Sequence, residues 1–341
     1  MLRFLPVNVI LGVDTSCDDT GIGIVIDGRV AANAVASQTS LHEQYGGVMP
    51  ELASREHLKV IRHVLDRALA EAGVTLADID LVAATRGPGL VGALLVGLNF
   101  ARSLAVARGL PFLTVNHLEG HIASSLVDSD LVPPFLSLIA SGGHTSLFLV
   151  NGWGDYRELG RSRDDAAGEA FDKVARQLGL PYPGGAALSK LAESGDAGNV
   201  ALPEPLRLQQ GYEFSFSGLK TAVANVLAKQ PDVSHADVAA SFQQVVVTSL
   251  ARTVDRAVRD TGVELVSVAG GVAANRLLRE RLGAAPYRVH FPPLALSSDN
   301  GAMIALAAAH LTGSGVRTPG DGELSLDALP YFPLEEASVG R

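Results

Sequence analysis

Along the chain, apolar runs alternate with short polar turns and with stretches whose apolar positions recur every three or four residues. Val9–Val13 reads as a buried strand, Asp14–Thr20 as a polar turn, and Gly21–Ile26 as a returning strand closed by Asp27-Gly28. The same pattern returns at Phe135–Ala140, a turn over Ser141–Ser146, and Leu147–Val150, closed by Asn151-Gly152. This echo of strand, polar turn and strand is an internal repeat and predicts two related halves.

Between the hairpins, Leu58, Ile61, Val64, Leu65 and Leu69 carry helical spacing and predict a helix over Glu51–Ala72. Ile79–Thr85 reads as a strand, which Gly87-Pro88-Gly89 ends while opening a helix over Leu90–Ala107. Leu113–Val115 is a further strand, and the first half ends there. The second half carries a helical insertion over about residues 155–235. Within it Ala167, Phe171, Val174 and Leu178 share one helical face, with Asp172 beside it and Gly179 as the stop. Pro181–Gly185 is a loop, Phe214–Lys220 alternates before turning helical, and Val238–Val258 is a long amphipathic helix. Leu265–Ala269 is a buried strand running into Gly270-Gly271 and a helix over Arg276–Leu282. Ser297–Met303 opens the last helix, with Asp299 near its positive end.

Composition narrows the class. A chain of 341 residues has room for two domains, and 47% hydrophobic with 18% charged residues describes a packed globular protein. The net charge of −9 excludes indiscriminate nucleic-acid binding through bulk charge. It leaves local basic patches open: Arg157, Arg161 and Arg163 form one cluster and Arg276, Arg279 and Arg281 another, either of which also serves as a solvated face. Cys17 is the single cysteine, so no intramolecular disulfide forms, as suits a reducing compartment. Met1–Pro6 leads into the first strand without a long apolar region or a small-residue cleavage site. Gly87–Ala101, the longest uncharged apolar stretch, is glycine-rich and short for a membrane span. The expected address is the cytoplasm.

The chemistry concentrates in Asn116–His121. His117 and His121, four residues apart, face the same way on a helix and can reach one divalent metal. The same spacing also suits two partly exposed histidines on a surface helix. Glu119 falls on the opposite helical face, and the H-E-x-x-H metalloprotease pattern is missing. The hairpin turns are rich in Gly, Ser, Thr and Asp, which either present N–H groups to phosphate or simply turn the chain. The strand–Gly-Gly–helix at Leu265–Arg276 lets a nucleotide approach the backbone, yet neither G-x-G-x-x-G nor G-x-x-x-x-G-K-[ST] occurs. Two hairpins of this kind followed by strand–Gly-Gly–helix describe an α/β actin-like ATPase (ASKHA) fold: two related lobes, residues 1–115 and 116–341, around a nucleotide cleft, with the C-terminal segment free to return to the first lobe.

The series Asp14–Thr20, Tyr45–Arg55, Gly87–Leu90, Asn116–His121, Ser141–Thr145, Gly168–Lys173, Tyr182–Gly185, Phe214–Lys220, Gly270–Arg276 and Asp299–Met303 resembles the tRNA N6-adenosine threonylcarbamoyltransferase family, TsaD in bacteria, over nearly the whole chain. The resemblance implies that His117, His121 and Asp299 hold one divalent metal, Fe2+ in the family with Zn2+ chemically able. It implies that Ile139, Ala140, Ser141, Gly142 and Gly143 line threonylcarbamoyl-adenylate, that Asp172 and Gly185 meet the ribose region, and that Asn275 sits near the adenosine. The implied reaction is acyl transfer to N6 of adenosine 37 in the anticodon loop of tRNAs reading codons that begin with adenine. The implied partners are the tRNA, a smaller actin-like paralogue (TsaB) and a P-loop ATPase (TsaE), with no membrane. His144 and Glu119 are candidate bases by location. The family's older label makes a metal-dependent glycoprotease the alternative; a small-molecule kinase and a non-catalytic scaffold are weaker rivals. Asp14 and Asp19 stand where the family usually has glutamates, and Ala186 where Pro is common. The first two changes keep the charge and shorten its reach by one methylene.

Overall fold

The computed structural model describes residues 8–337, so the reading of Met1–Pro6 lies outside the described residues. The first hairpin forms as its two apolar runs and the polar turn between them predict: β1 (Val9–Asp14) runs antiparallel to β2 (Asp19–Ile26). The chain then adds β3 (Arg29–Ser37), a strand the sequence reading left out, because its half-exposed edge position carries a weak apolar pattern. The helices α1 (Thr39–Glu43) and α2 (Pro50–Ala72) follow. Next come β4 (Leu81–Gly87), α3 (Val91–Arg108) and β5 (Phe112–Asn116), with β4 parallel to β1 and β5 parallel to β4. The sheet order is β3-β2-β1-β4-β5. Among the described residues α3 is the one helix long and apolar enough to cross a membrane by length and composition. Its Leu98, Ala101 and Ala105 pack with Ile61 and Leu65 of α2 in the core of this sheet.

The second half repeats the arrangement. After α4 (His117–Ser124) come β6 (Phe135–Ala140), β7 (Thr145–Gly152) and β8 (Asp155–Arg161), all antiparallel neighbours. Asp155–Arg161 is therefore an edge strand, not the start of the helical stretch, which begins with α5 (Ala167–Gln177). Then follow α6 (Gly184–Ala192), α7 (Ser217–Lys229) and α8 (His235–Thr261). The chain returns through β9 (Leu265–Ala269), α9 (Arg276–Gly283), β10 (Arg288–His290) and α10 (Gly301–Gly313). The order β8-β7-β6-β9-β10 matches β3-β2-β1-β4-β5 strand for strand, which gives the expected two related lobes of an α/β fold.

Two helices between the lobes set up the site. α10 lies on the first sheet, where Met303, Ile304 and Leu311 pack against Ile10, Val25 and Leu113. α4 lies on the second sheet through Leu118 and Ile122, which meet Phe135, Ile139 and Phe148. The helices also touch each other at Gly120, where an added Cβ would come within 2.9 Å of Ile304 and 3.1 Å of Met303. A larger residue there would have to displace the Ile304 and Met303 side chains.

Candidate functional site

α4 starts where β5 ends. Asn116 caps it, its Oδ1 accepting from Leu118 N–H at 2.9 Å while its Nδ2 donates to the Phe332 carbonyl. The next residue is His117, and one turn later comes His121. Neither is a surface residue: His117 is 4% exposed and His121 is fully buried. This sets aside the surface-helix reading, because α4 is covered by both sheets' elements along its whole length. Asp299 arrives from the lead-in to α10, whose N-terminus is capped by Asn300 Oδ1 on Met303 N–H at 2.9 Å. Its Oδ1 lies 3.2 Å from His121 Nε2 and 3.6 Å from His117 Nε2. One ligand atom from each of His117, His121 and Asp299 falls within 4.8 Å of the others.

These residues fit a metal on their own chemistry. Both ring nitrogens of His121 are buried and make no hydrogen bond. Orphaned buried polar groups are costly, and here an Nε2 pair and a carboxylate oxygen converge on one point, a donor set suited to a divalent transition ion. Behind His117, Asp14 Oδ1 stands 3.4 Å from Nδ1, which fixes the other ring face as a metal-ligating histidine requires. Asp14 is itself fully buried and accepts from Thr85 Oγ1 at 2.5 Å and Ser16 Oγ at 3.1 Å. Burial disfavours charge on His117, but Asp299 and Asp14 outweigh it and push its pKa up to about 9. His144 stacks at a tilt 6.2 Å from His117, and burial followed by the two imidazoles pushes it down to about 4.

Glu119 faces away from the triad, as its spacing predicts, and is fully buried. Its Oε1 accepts from Tyr156 Oη at 2.5 Å, and burial raises its pKa to about 7. It ties α4 to β8. Tyr156 and Asp14 went unread in the sequence as supporting residues, since no spacing motif joins either to the histidines.

The turns occupy the mouth of the second lobe. Ile139 and Ala140 end β6, and Ser141 begins the turn; its N–H donates to the His144 carbonyl at 2.8 Å and its own carbonyl accepts from Gly168 at 3.0 Å. The Ser141 N–H is thus engaged within the protein, whereas Gly142 and Gly143 are exposed and an added Cβ at either would meet nothing within 4 Å. Gly270 packs its backbone on the end of β6 at φ +87°, where a Cβ would stand 2.4 Å from the Ala140 carbonyl oxygen. Asp172 Oδ1 accepts from Gly184 N–H at 2.7 Å, next to Gly185. Asn275 caps α9 through Leu278 N–H, and its Nδ2 donates to Ser189 Oγ at 3.0 Å and Gln243 Oε1 at 2.8 Å, so its amide is held by neighbouring side chains.

The arginine clusters are largely committed elsewhere. Arg281 pairs with Asp255 at 2.6 Å, Arg276 with Glu280 at 2.9 Å, and Arg163 with Glu213. Arg279 donates to the Ala273 carbonyl at 2.7 Å and lies over the Phe291 ring. Arg161 donates to Tyr331 Oη at 3.2 Å, and Arg157 is exposed.

Comparison with known proteins agrees with this picture. The sequence profile of the family described as TsaD, tRNA N6-adenosine threonylcarbamoyltransferase, matches residues 29–306. A protein of that description from Thermus thermophilus is 56% identical over 328 residues, covering 96% of this chain and 99% of its own. Another from Pelobacter propionicus is 46% identical over 342 residues, covering 98% and 99%. Among solved structures, HypF from T. kodakarensis superposes with a TM-score of 0.60 at 16% identity, over 95% of this chain and 49% of that one. Component A of the (R)-2-hydroxyglutaryl-CoA dehydratase of Acidaminococcus fermentans gives 0.57 at 18% identity, over 90% and 99%. These two likenesses carry the fold alone, the actin-like pair of lobes. The profile and the near-full-length relatives carry the rest: the chain belongs to the TsaD family of tRNA N6-adenosine threonylcarbamoyltransferases.

Proposed function

We propose that this protein transfers the threonylcarbamoyl group from threonylcarbamoyl-adenylate to N6 of adenosine 37 in tRNAs that read codons beginning with adenine. N6 bonds to the carbamoyl carbon, the bond from that carbon to the adenylate phosphate oxygen breaks, AMP leaves, and N6 loses one proton. The observation that carries this reading is the convergence of His117, His121 and Asp299 between the lobes of a chain of this family.

His117, His121 and Asp299 would hold one Fe2+, with Zn2+ acceptable to the same donors. When bound, the ion supplies an anchor and a Lewis acid for the intermediate's carbonyl. Gly142 and Gly143, both exposed, would offer N–H groups to the phosphate, beside Ile139, Ala140 and Ser141. Asp172 and Gly185 border the ribose and Asn275 the adenosine side. An adenine amine is a weak nucleophile, so these residues work chiefly by positioning. His144 is neutral near pH 7 but, with a pKa of about 4, a weak base. The glycoprotease alternative would need a strong base at the triad, and Glu119 is turned to Tyr156 instead.

The reading includes the cytoplasm as address, the tRNA anticodon loop as macromolecular substrate, and a smaller actin-like paralogue (TsaB) with a P-loop ATPase (TsaE) as partners. The test supplies purified protein, those partners, labelled threonylcarbamoyl-adenylate and unmodified tRNA. Label on adenosine 37 is expected. A fully assembled reaction that leaves the tRNA unlabelled overturns the proposal.

A further inference from the structure

Three consecutive carbonyls in the first hairpin turn are each held from outside it. Leu90 N–H donates to the Ser16 carbonyl at 2.8 Å and Gln38 N–H to the Asp18 carbonyl at 3.1 Å. The one between them, on Cys17, is met by a side chain: His57 Nε2 at 3.0 Å. His57 lies on α2 and is fully buried, and its hydrogen-bond partners are Cys17, Thr20 and Gln38.

The contacts fix its tautomer. A carbonyl oxygen carries no proton, so Nε2 must donate and Nδ1 must accept. Thr20 Oγ1 at 2.7 Å is the matching donor to Nδ1, with Gln38 Nε2 farther off at 3.3 Å. Gln38 is anchored in turn, its Oε1 accepting from His42 Nε2 at 3.1 Å, while His42 Nδ1 accepts from Met49 N–H at 3.3 Å. Each imidazole thus has one tautomer with both nitrogens used. Burial lowers the His57 pKa, which keeps this neutral form in place.

The turn so held starts at Asp14, the residue facing His117 Nδ1, and Ser16 Oγ donates back to Asp14 Oδ2. We propose that His57 is a positioning residue for the transfer reaction: its single N–H on the Cys17 carbonyl holds the Asp14–Asp19 turn in its working conformation beside the metal centre. A side chain that only filled the space would leave the Cys17 carbonyl without this donor. The inference rests on the transferase reading above.

Two substitutions separate the donor from the volume. In His57→Gln the amide nitrogen reaches nearly to the place of Nε2; in His57→Asn it reaches only to that of Nδ1. The assay follows threonylcarbamoyl transfer to tRNA with partners present. The Gln variant is expected within about threefold of wild-type kcat, and the Asn variant at least about tenfold lower with KM for tRNA unchanged. Metal affinity should follow kcat, near wild type in the Gln variant and lower in the Asn variant, because the turn begins at Asp14. An Asn variant with wild-type kcat, or a Gln variant as impaired as Asn, overturns the proposal. Proton–nitrogen correlation spectra of wild-type protein carrying isotope-labelled histidine give a second reading that needs no variant. The Nε2–H tautomer at His57 is expected, and the Nδ1–H tautomer overturns the assignment. Wild-type protein inactive in the complete assay would sink the transferase reading instead, and the spectra would still decide where the His57 proton sits.

Discussion

Nε2 of His121 stands 3.2 Å from Oδ1 of Asp299, yet neither nitrogen of that fully buried ring makes a hydrogen bond. Leaving such a group unpaired costs about 1–3 kcal/mol, which a cation bound at Nε2 would offset. His121→Ala removes both the ligand and the orphaned group. Bound metal measured by elemental analysis should fall at least about tenfold, and transfer activity about a hundredfold. A chelator should lower the melting temperature of the wild type and leave that of the variant unchanged. Equal metal content in the two proteins would contradict the assignment.

In the metal-free protein His117 is protonated at neutral pH, since Asp299 and Asp14 together outweigh burial and set its pKa at about 9. This folded-state value lies above the unfolded one of about 6.5. The proton therefore contributes stability that is present in full below about pH 6.5 and lost as pH rises through about 9. An incoming metal must displace it. Calorimetric titrations at about pH 7.5, in buffers of different ionisation enthalpy, should show about one proton released per metal bound. Affinity should climb with pH and level off near about pH 9. Metal uptake without proton release would show that the ring is already neutral.

Asp14 meets the triad at His117, with its Oδ1 at 3.4 Å from Nδ1. Asp14→Asn keeps the shape and removes the charge that orients the ring. Metal affinity, measured by competition with a chelator, should weaken about 10–100-fold while the fold persists. Unchanged affinity would mean that Thr85 and Ser16, not His117, are what Asp14 serves.

Much of this architecture is visible in the chain itself. Glycine punctuation and continuous apolar runs mark β1, β2, β6 and β7, which are buried on both faces, and helical apolar spacing marks α2 and α8, each with one face committed to a core. The edge strands β3 and β8 escape notice, since half-exposed positions blur the alternation. Helical spacing shows that His117 and His121 share a face, but not that α4 is buried along its length, which depends on α10 and both sheets. The partners of Glu119 and of the arginines are equally remote: Tyr156, Asp255 and Glu213 are joined to them by folding, with no fixed interval to read.

Tyr156→Phe tests the other side of α4. Glu119 Oε2 already lacks a partner, and the substitution removes the hydroxyl from Oε1. Loss of about 1–3 kcal/mol is expected in urea denaturation. Burial sets the Glu119 pKa at about 7, above the unfolded value of about 4.3. Its contribution is therefore fully present at pH values below about 4.3 and is lost as pH rises through about 7. The hydroxyl matters most once the carboxylate is charged, so the variant's deficit should be larger at about pH 8 than at about pH 5. A deficit independent of pH would show that the carboxyl group does not titrate between about pH 5 and 8.

The position of Asp299 depends on glycine as much as on any ligand. α10 lies so close to the first sheet that a Cβ on Gly23 would stand 2.1 Å from Ala302 N, and one on Gly301 would stand 2.3 Å from Gly23 N. Both neighbours are backbone, so neither can swing aside. Gly301→Ala must lift the N-terminus of α10 from β2, and with it Asp299, two residues earlier. We expect a stability loss of about 1–3 kcal/mol. Metal affinity should fall at least about tenfold, although no ligand has changed. Gly313→Ala is the control: it closes the same helix, and an added Cβ meets nothing within 4 Å. That variant should keep wild-type melting and wild-type metal affinity. If Gly301→Ala also binds metal like the wild type, close docking of α10 is not what brings Asp299 to the two histidines.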